Sequence, residues 1–262
     1  MKLLNKVTVN DIYRKLIKKY PLKYQEKWDE SGIKYFGRKK AFIDKILIAL
    51  DINTACIRFA IKNKIELIIA HHPIFTNSKE IKLFKNDINN LKLLKKHKIN
   101  VIALHTSIDN HPNGLNWFLV KQISSKNFKQ IKNSDGTFFK VNLIKQYSAN
   151  ELITLFKETH DVNAITCHDN GSKIKSIYFC SGSGFGVLKH QLSKLKKDEC
   201  LVTGDIKWHN WQTINDFNAN ALDVGHDIEK HFITLISEFI IQNFPKIKIY
   251  NYFPNIKLKV TN

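Results

Sequence analysis

Ile68-Ile69-Ala70-His71-His72-Pro73 runs an apolar segment straight into two histidines and a proline. A short, continuous apolar run reads as a strand buried on both faces, and proline does not extend a central strand. Histidine is the commonest metal ligand and the usual proton carrier near neutral pH. Two of them at the end of a buried strand mark a candidate site, provided that neighbouring strands end in a similar way.

They do. Residues 46–50 form a second apolar strand ending in Asp51, after which Asn53 or Thr54 can cap a helix to about residue 62. Residues 101–104 form a third, ending in His105-Thr106, with helical patterns at about 89–96 and through Trp117 and Leu119. Later, residues 177–180 run into Ser181-Gly182-Ser183-Gly184, residues 200–202 into Thr203-Gly204-Asp205, and residues 222–224 into Gly225-His226. A helical pattern follows each, the last spanning about 228–244. The stretch from 124 to 173 is less regular, with strands expected at 138–143 and 165–168 and a helix opened by Ser148. The alternation predicts an α/β fold: two-lobed, with largely parallel sheets flanked by helices, as two βαβαβ-like halves around a middle insertion. The expected division is a first lobe over about 1–123, a middle segment over 124–173, and a second half over 174–262 that packs back on the first.

Composition narrows the function classes. Of 262 residues, 43% are hydrophobic and 25% charged, as in ordinary globular proteins. The opening residues lack the apolar core of a signal peptide, and no stretch approaches the roughly 18 apolar residues of a membrane span. A cytoplasmic protein is expected. Cys56, Cys167, Cys180 and Cys200 have no CxxC spacing and read as buried free thiols. Net charge is +19, which raises nucleic acid as a partner. Arginine, however, occurs only at Arg14, Arg38 and Arg58, and it is the side chain suited to bidentate base and phosphate recognition. Lysines spread along the chain read instead as a solvated surface.

Ligands of open α/β sheets gather beyond the carboxyl ends of the strands. Those ends carry Asp51, His71-His72, His105 with Asp109, Thr203-Gly204-Asp205, and His226 with Glu229. Imidazole and carboxylate without thiolate suit Zn, Mn, Fe, Co or Ni. Alternation along an extended strand sends His71 and His72 apart, so each is expected to serve a different ion. Glu229, three residues after His226, faces the same way on a helix, and a carboxylate there can bridge two ions. His97, His160, His168, His190 and His231 fall outside this set and read as surface residues, and His111 as loop-borne. Ser181-Gly182-Ser183-Gly184-Phe185-Gly186 lacks the Walker Lys-Ser/Thr pair, leaving anion binding and a plain tight turn as equal readings.

The ordered set Glu26-Lys27-Trp28-Asp29, His71-His72-Pro73, His105-Thr106 with Asp109, Gly114 and Asn116, Thr203-Gly204-Asp205 with His209, and Gly225-His226 resembles the GTP cyclohydrolase 1 type 2 homolog family, the NGG-interacting-factor-like proteins. The resemblance covers essentially the whole chain. It implies a two-lobed α/β fold, a dinuclear site of two divalent ions and a homohexamer. Carried over by motif, the metal ligands are His71, His72, Asp109, His226 and Glu229, with His105 and His209 nearby as proton-transfer groups. One spacing departs from the pattern: the family places its glutamate four residues after the histidine, where this chain has Lys230, with Glu229 one position earlier.

Together these readings point to a metal-dependent hydrolase acting on a nucleotide-like small molecule. A non-catalytic metal-binding, metal-delivery or scaffold protein is the alternative, and a nucleic-acid binder using the lysine surface a third.

Overall fold

The structure is a computed structural model and describes residues 6–74, 85–124 and 127–253. The first five residues, part of the stretch read above as lacking a signal sequence, lie outside that range. Two compact units are present, one formed by residues up to Ile108 together with the segment that begins at Phe232, the other by Asp109–His231.

In chain order the first unit contains α1 (Val9–Lys19), β1 (Gly32–Lys34), β2 (Lys45–Ala49), α2 (Thr54–Lys62), β3 (Leu67–Ala70), α3 (Lys85–His97) and β4 (Asn100–Ala103). A one-turn helix, α4 (Thr106–Asp109), then leads the chain into the second unit. There follow α5 (Leu115–Ile123), β5 (Phe128–Asn133), β6 (Gly136–Tyr147), α6 (Ala149–His160), β7 (Thr166–His168), β8 (Ile174–Phe179), α7 (Phe185–Leu188), β9 (Glu199–Thr203), α8 (Trp208–Asp216) and β10 (Asn220–Asp223). After a 3-10 turn (His226–Lys230), α9 (His231–Asn243) and β11 (Lys248–Tyr252) return to the first unit.

The first unit's sheet has the order β1-β4-β3-β2-β11, parallel except for the antiparallel edge strand β1. Leu47, Ala49, Ile68, Ala70 and Val101 form one core cluster with Cys56, Ile57 and Ala60 of α2 and Leu94 of α3. Ile46, Ile48, Leu67, Ile69 and Ile102, on the other face, are buried too, which is why these strands are apolar throughout. Helix starts are set locally: Thr8 and Asp11 form a capping box on α1, and the Asn53 side chain accepts from Cys56 N–H at 2.8 Å on α2.

The second sheet is mixed, with order β5-β6-β8-β9-β10-β7. Only β8, β9 and β10 run parallel; β5, β6 and β7 all pair antiparallel. The irregular middle of the sequence therefore supplies three strands to this sheet. Phe156 of α6 stacks on Phe179 of β8, with ring centroids 6.2 Å apart. The opposite face packs Phe138, Tyr178, Leu201 and Ala221 against Leu188 and Ile214. Among the described residues no helix is long and apolar enough to cross a membrane.

Candidate metal centre

In the first unit the geometry begins with register. Ala49, Ala70 and Ala103 stand side by side across β2, β3 and β4. Because three adjacent parallel strands stop at one level, the residues beyond them gather. Backbone pairing continues briefly: His72 N–H donates to Leu50 O at 3.0 Å and Leu104 N–H to Ala70 O at 3.0 Å. The chain then bends at His71 and His72, so strand alternation no longer separates them. Their ring centroids are 4.9 Å apart, and that of His105 lies 5.2 Å and 5.4 Å from them. One donor atom from each of His71, His72 and His105 falls within 4.8 Å of the others, close enough for all three to serve one ion. That each of them could hold a different ion therefore no longer rests on strand alternation.

Each ring is oriented by its Nδ1. That of the fully buried His71 donates to Leu104 O (2.9 Å), that of His72 to Asp51 Oδ1 (2.7 Å), and that of His105 to Asp29 Oδ1 (3.1 Å). A carbonyl or carboxylate oxygen only accepts, so a proton sits on each Nδ1, and in the neutral form of the ring the lone pair is then on Nε2. Asp29 is itself held by Ser31 Oγ (2.6 Å), Thr106 Oγ1 (2.6 Å) and Thr106 N–H (3.1 Å). Burial alone would raise its pKa, but the hydrogen bonds from His105, Ser31 and Thr106 prevail and bring it down to about 2. Asp29 was noted in the sequence only as part of a motif. Its partnership with His105 spans 76 residues and leaves no periodic signal.

The second unit repeats the principle. Phe179 pairs with Val202 and Val202 with Leu222, bringing the ends of β8, β9 and β10 level. His226 Nδ1 donates to Asp205 Oδ2 at 2.6 Å, and His226 Nε2 lies 3.0 Å from Glu229 Oε2. Glu229 is only 4% exposed. Its carboxylate packs over Gly182, whose φ is +59° and whose position a Cβ could not occupy without striking Glu229 Oε1. The Ser181–Gly184 turn thus serves as a seat for this carboxylate. Asn116 braces the same region, its Oδ1 accepting from Ser181 N–H (2.7 Å) and its Nδ2 donating to Asp109 O (3.3 Å). Burial pushes the Cys180 thiol well up, and the charges of Asp109 and Glu229 push it further. The thiol stays protonated, which leaves nitrogen and oxygen as the donors here.

Hydrogen bonding to Glu229, with a smaller contribution from Asp205, raises the His226 pKa to about 9 against the effect of burial. This corner already attracts positive charge. Imidazole nitrogen with carboxylate oxygen, each oriented from behind, fits a divalent ion of the Zn, Mn, Fe, Co or Ni group.

His209, on α8, lines a cleft of about 770 Å³ with Trp208, Trp211, Cys167 and His168. Among the described residues it joins no group of metal-capable side chains. Cys167, expected to be buried, is an exposed thiol on edge strand β7, whereas Cys56, Cys180 and Cys200 are buried. His160, expected at the surface, is fully buried.

The matches to known proteins agree with this architecture. The chain matches the Duf34/NIF3 (NGG1p interacting factor 3) family model over residues 7–256. It belongs to the Duf34/NIF3 family. Among its relatives is the GTP cyclohydrolase 1 type 2 homolog of Ureaplasma parvum, 31% identical over 237 residues, or 88% of each chain. The GTP cyclohydrolase 1 type 2 of Helicobacter pylori is 28% identical over 243 residues, covering 90% of this chain and 92% of that one. Two solved structures share the fold. Reduced HcgD from Methanocaldococcus jannaschii has a TM-score of 0.80 at 19% identity, covering 94% of this chain and 97% of its own. A Bacillus cereus protein related to NIF3 has a TM-score of 0.80 at 15% identity, covering 98% and 99%.

Proposed function

We propose that this Duf34/NIF3 chain is a metal-dependent hydrolase in which His71, His72, Asp109, His226 and Glu229 hold two divalent ions. The observation that carries this reading is the orientation of the imidazoles: Nδ1 of His71, His72 and His226 is bonded to a backbone or carboxylate oxygen, so Nε2 is the nitrogen that would hold an ion, in His226 in place of the proton it now shares with Glu229 Oε2. When bound, such ions supply Lewis acidity and activate water at neutral pH. His105, backed by Asp29, can accept a proton at Nε2 and release it, with its ring held in one orientation. His209 is the second proton-transfer candidate, on the strength of the resemblance. The name of the relatives, GTP cyclohydrolase 1 type 2, supports a nucleotide-like small molecule as substrate. Family resemblance likewise supports a homohexamer, which light scattering of the purified protein would test, and the absence of membrane-spanning helices among the described residues fits a cytoplasmic setting.

A second reading is a metal-holding or metal-delivery protein without turnover. It is favoured by His105, which stands with His71 and His72 as a third donor rather than apart from them as a base.

Elemental analysis of purified wild type beside Glu229→Ala tests the metal reading. Two ions per chain in the wild type, reduced in the variant, are expected; a wild type that cannot be loaded beyond one ion would defeat the dinuclear assignment. Nucleotide turnover abolished by His72→Ala with the fold intact would favour the enzyme. Full loading without turnover of nucleotides or phosphoesters would favour the second reading.

A further inference from the structure

One arrangement occurs in both units. In the first, β2 ends at Ala49 and, two residues on, Asp51 reaches across to the histidine beyond the adjacent parallel strand β3. In the second, β9 ends at Thr203 and, two residues on, Asp205 reaches the histidine beyond the adjacent parallel strand β10. The contacts are short, 2.7 Å from His72 Nδ1 to Asp51 Oδ1 and 2.6 Å from His226 Nδ1 to Asp205 Oδ2. Such distances belong to charge-assisted hydrogen bonds. His71 differs, since its Nδ1 donates to the neutral carbonyl of Leu104.

We propose that Asp51 and Asp205 are positioning residues that set the metal affinity of His72 and His226. Each carboxylate holds the Nδ1 proton of its histidine, which fixes the tautomer, aims Nε2 and makes that nitrogen a stronger donor. Neither carboxylate belongs to the groups of metal-capable side chains found among the described residues. The backbone explains why an aspartate can stand at the second place: Asp205 has φ +53°, a left-handed conformation that Asp and Asn tolerate better than most residues. Both side chains are partly open to solvent, 37% for Asp51 and 52% for Asp205, so their buried surroundings do not depend on them for packing. The proposal rests on the metal-binding reading above and adds which residues outside the ligand set tune it.

The test is a Zn²⁺ titration of the full chain against a chromophoric chelator, for wild type, Asp51→Asn and Asp205→Asn. Asparagine keeps an oxygen for the Nδ1 proton and suits the backbone at 205, but it removes the charge. Unchanged stoichiometry with Zn²⁺ affinity about 10- to 100-fold weaker is expected in each variant, the range seen when outer partners of metal-bound histidines are removed. In ¹⁵N NMR of the Zn²⁺-loaded wild type, His72 and His226 should carry a strongly deshielded Nδ1 proton, shifted back in the matching variant. Thermal unfolding confirms that the variants fold. Affinities within twofold of wild type in both folded variants would overturn the proposal. So would the outright loss of an ion per chain, which would make the aspartate a ligand. A wild type that takes up no Zn²⁺ would instead defeat the metal reading itself and this inference with it.

Discussion

His226 and Glu229 stand three residues apart on one 3-10 turn, with Nε2 and Oε2 separated by 3.0 Å. A 3-10 helix has about 3.0 residues per turn, so side chains at i and i+3 eclipse. The i, i+3 spacing on this turn thus sets the carboxylate of Glu229 beside the imidazole of His226.

That relationship predicts that the glutamate cannot be moved to position 230. In the double variant Glu229→Ala/Lys230→Glu, the new carboxylate lies about 120° around the turn from His226. Metal content should stay as low as in Glu229→Ala alone. Recovery of wild-type loading, measured by elemental analysis, would show that the turn rewinds into an α-helix.

Gly182→Ala should disturb the same carboxylate from the opposite side. Its methyl would strike Glu229 Oε1, and a left-handed φ costs a non-glycine residue about 1–2 kcal/mol. A lower unfolding midpoint together with weaker metal binding is expected. Gly186→Ala, with nothing near its Cβ, should leave both unchanged and serves as the control.

Asn116 is a brace whose removal is testable apart from any activity. It is 1% exposed, and its Oδ1 is the acceptor for the buried Ser181 N–H. Asn116→Ala strands that donor, at a cost of about 1–3 kcal/mol. Urea unfolding should report a loss of this size, and a change below about 0.5 kcal/mol would mean that Ser181 has found another acceptor.

His160 gives a pH dependence. Burial, with smaller effects of His231 and Lys230, lowers its pKa from 6.5 to about 3, and neither ring nitrogen has a hydrogen-bond partner among the described residues. The fold accepts only the neutral ring. This contribution is complete above pH 6.5 and is lost as pH falls from there toward 3, by at most about 1.4 kcal/mol per pH unit. His160→Phe, which suits neighbours such as Phe156, should flatten the acid limb of stability without loss near neutrality. Denaturation measured at about pH 7 and about pH 4.5 checks this, and parallel acid limbs in the two proteins would exclude His160 as the cause.

Much of the framework was legible in the residues alone. Strands buried on both faces have to be apolar throughout, so β2, β3, β4, β8, β9 and β10 stand out, as do the polar residues at which they stop. β1 and β5 did not. Gly32–Lys34 and the lysine-bearing Phe128–Asn133 are partly exposed edge strands, and pairing with β4 and β6 holds them where periodicity gives no signal. His160 was misplaced for a related reason: a histidine at the end of an amphipathic helix looks the same whether water or Phe156 lies against it.

The sequence by itself determined which residues end the strands, and therefore that imidazoles and carboxylates collect at the carboxyl edges of two sheets. Only the tertiary structure decided how each one is presented. Strand register brings Asp51 to His72 and Asp205 to His226, long-range hydrogen bonding brings Asp29 to His105, and a 3-10 turn over a left-handed glycine brings Glu229 to His226. Burial is written in hydrophobicity, which each residue carries with it. A ring's tautomer is set by whichever oxygen the fold places against its Nδ1, and that oxygen belongs to a distant part of the chain.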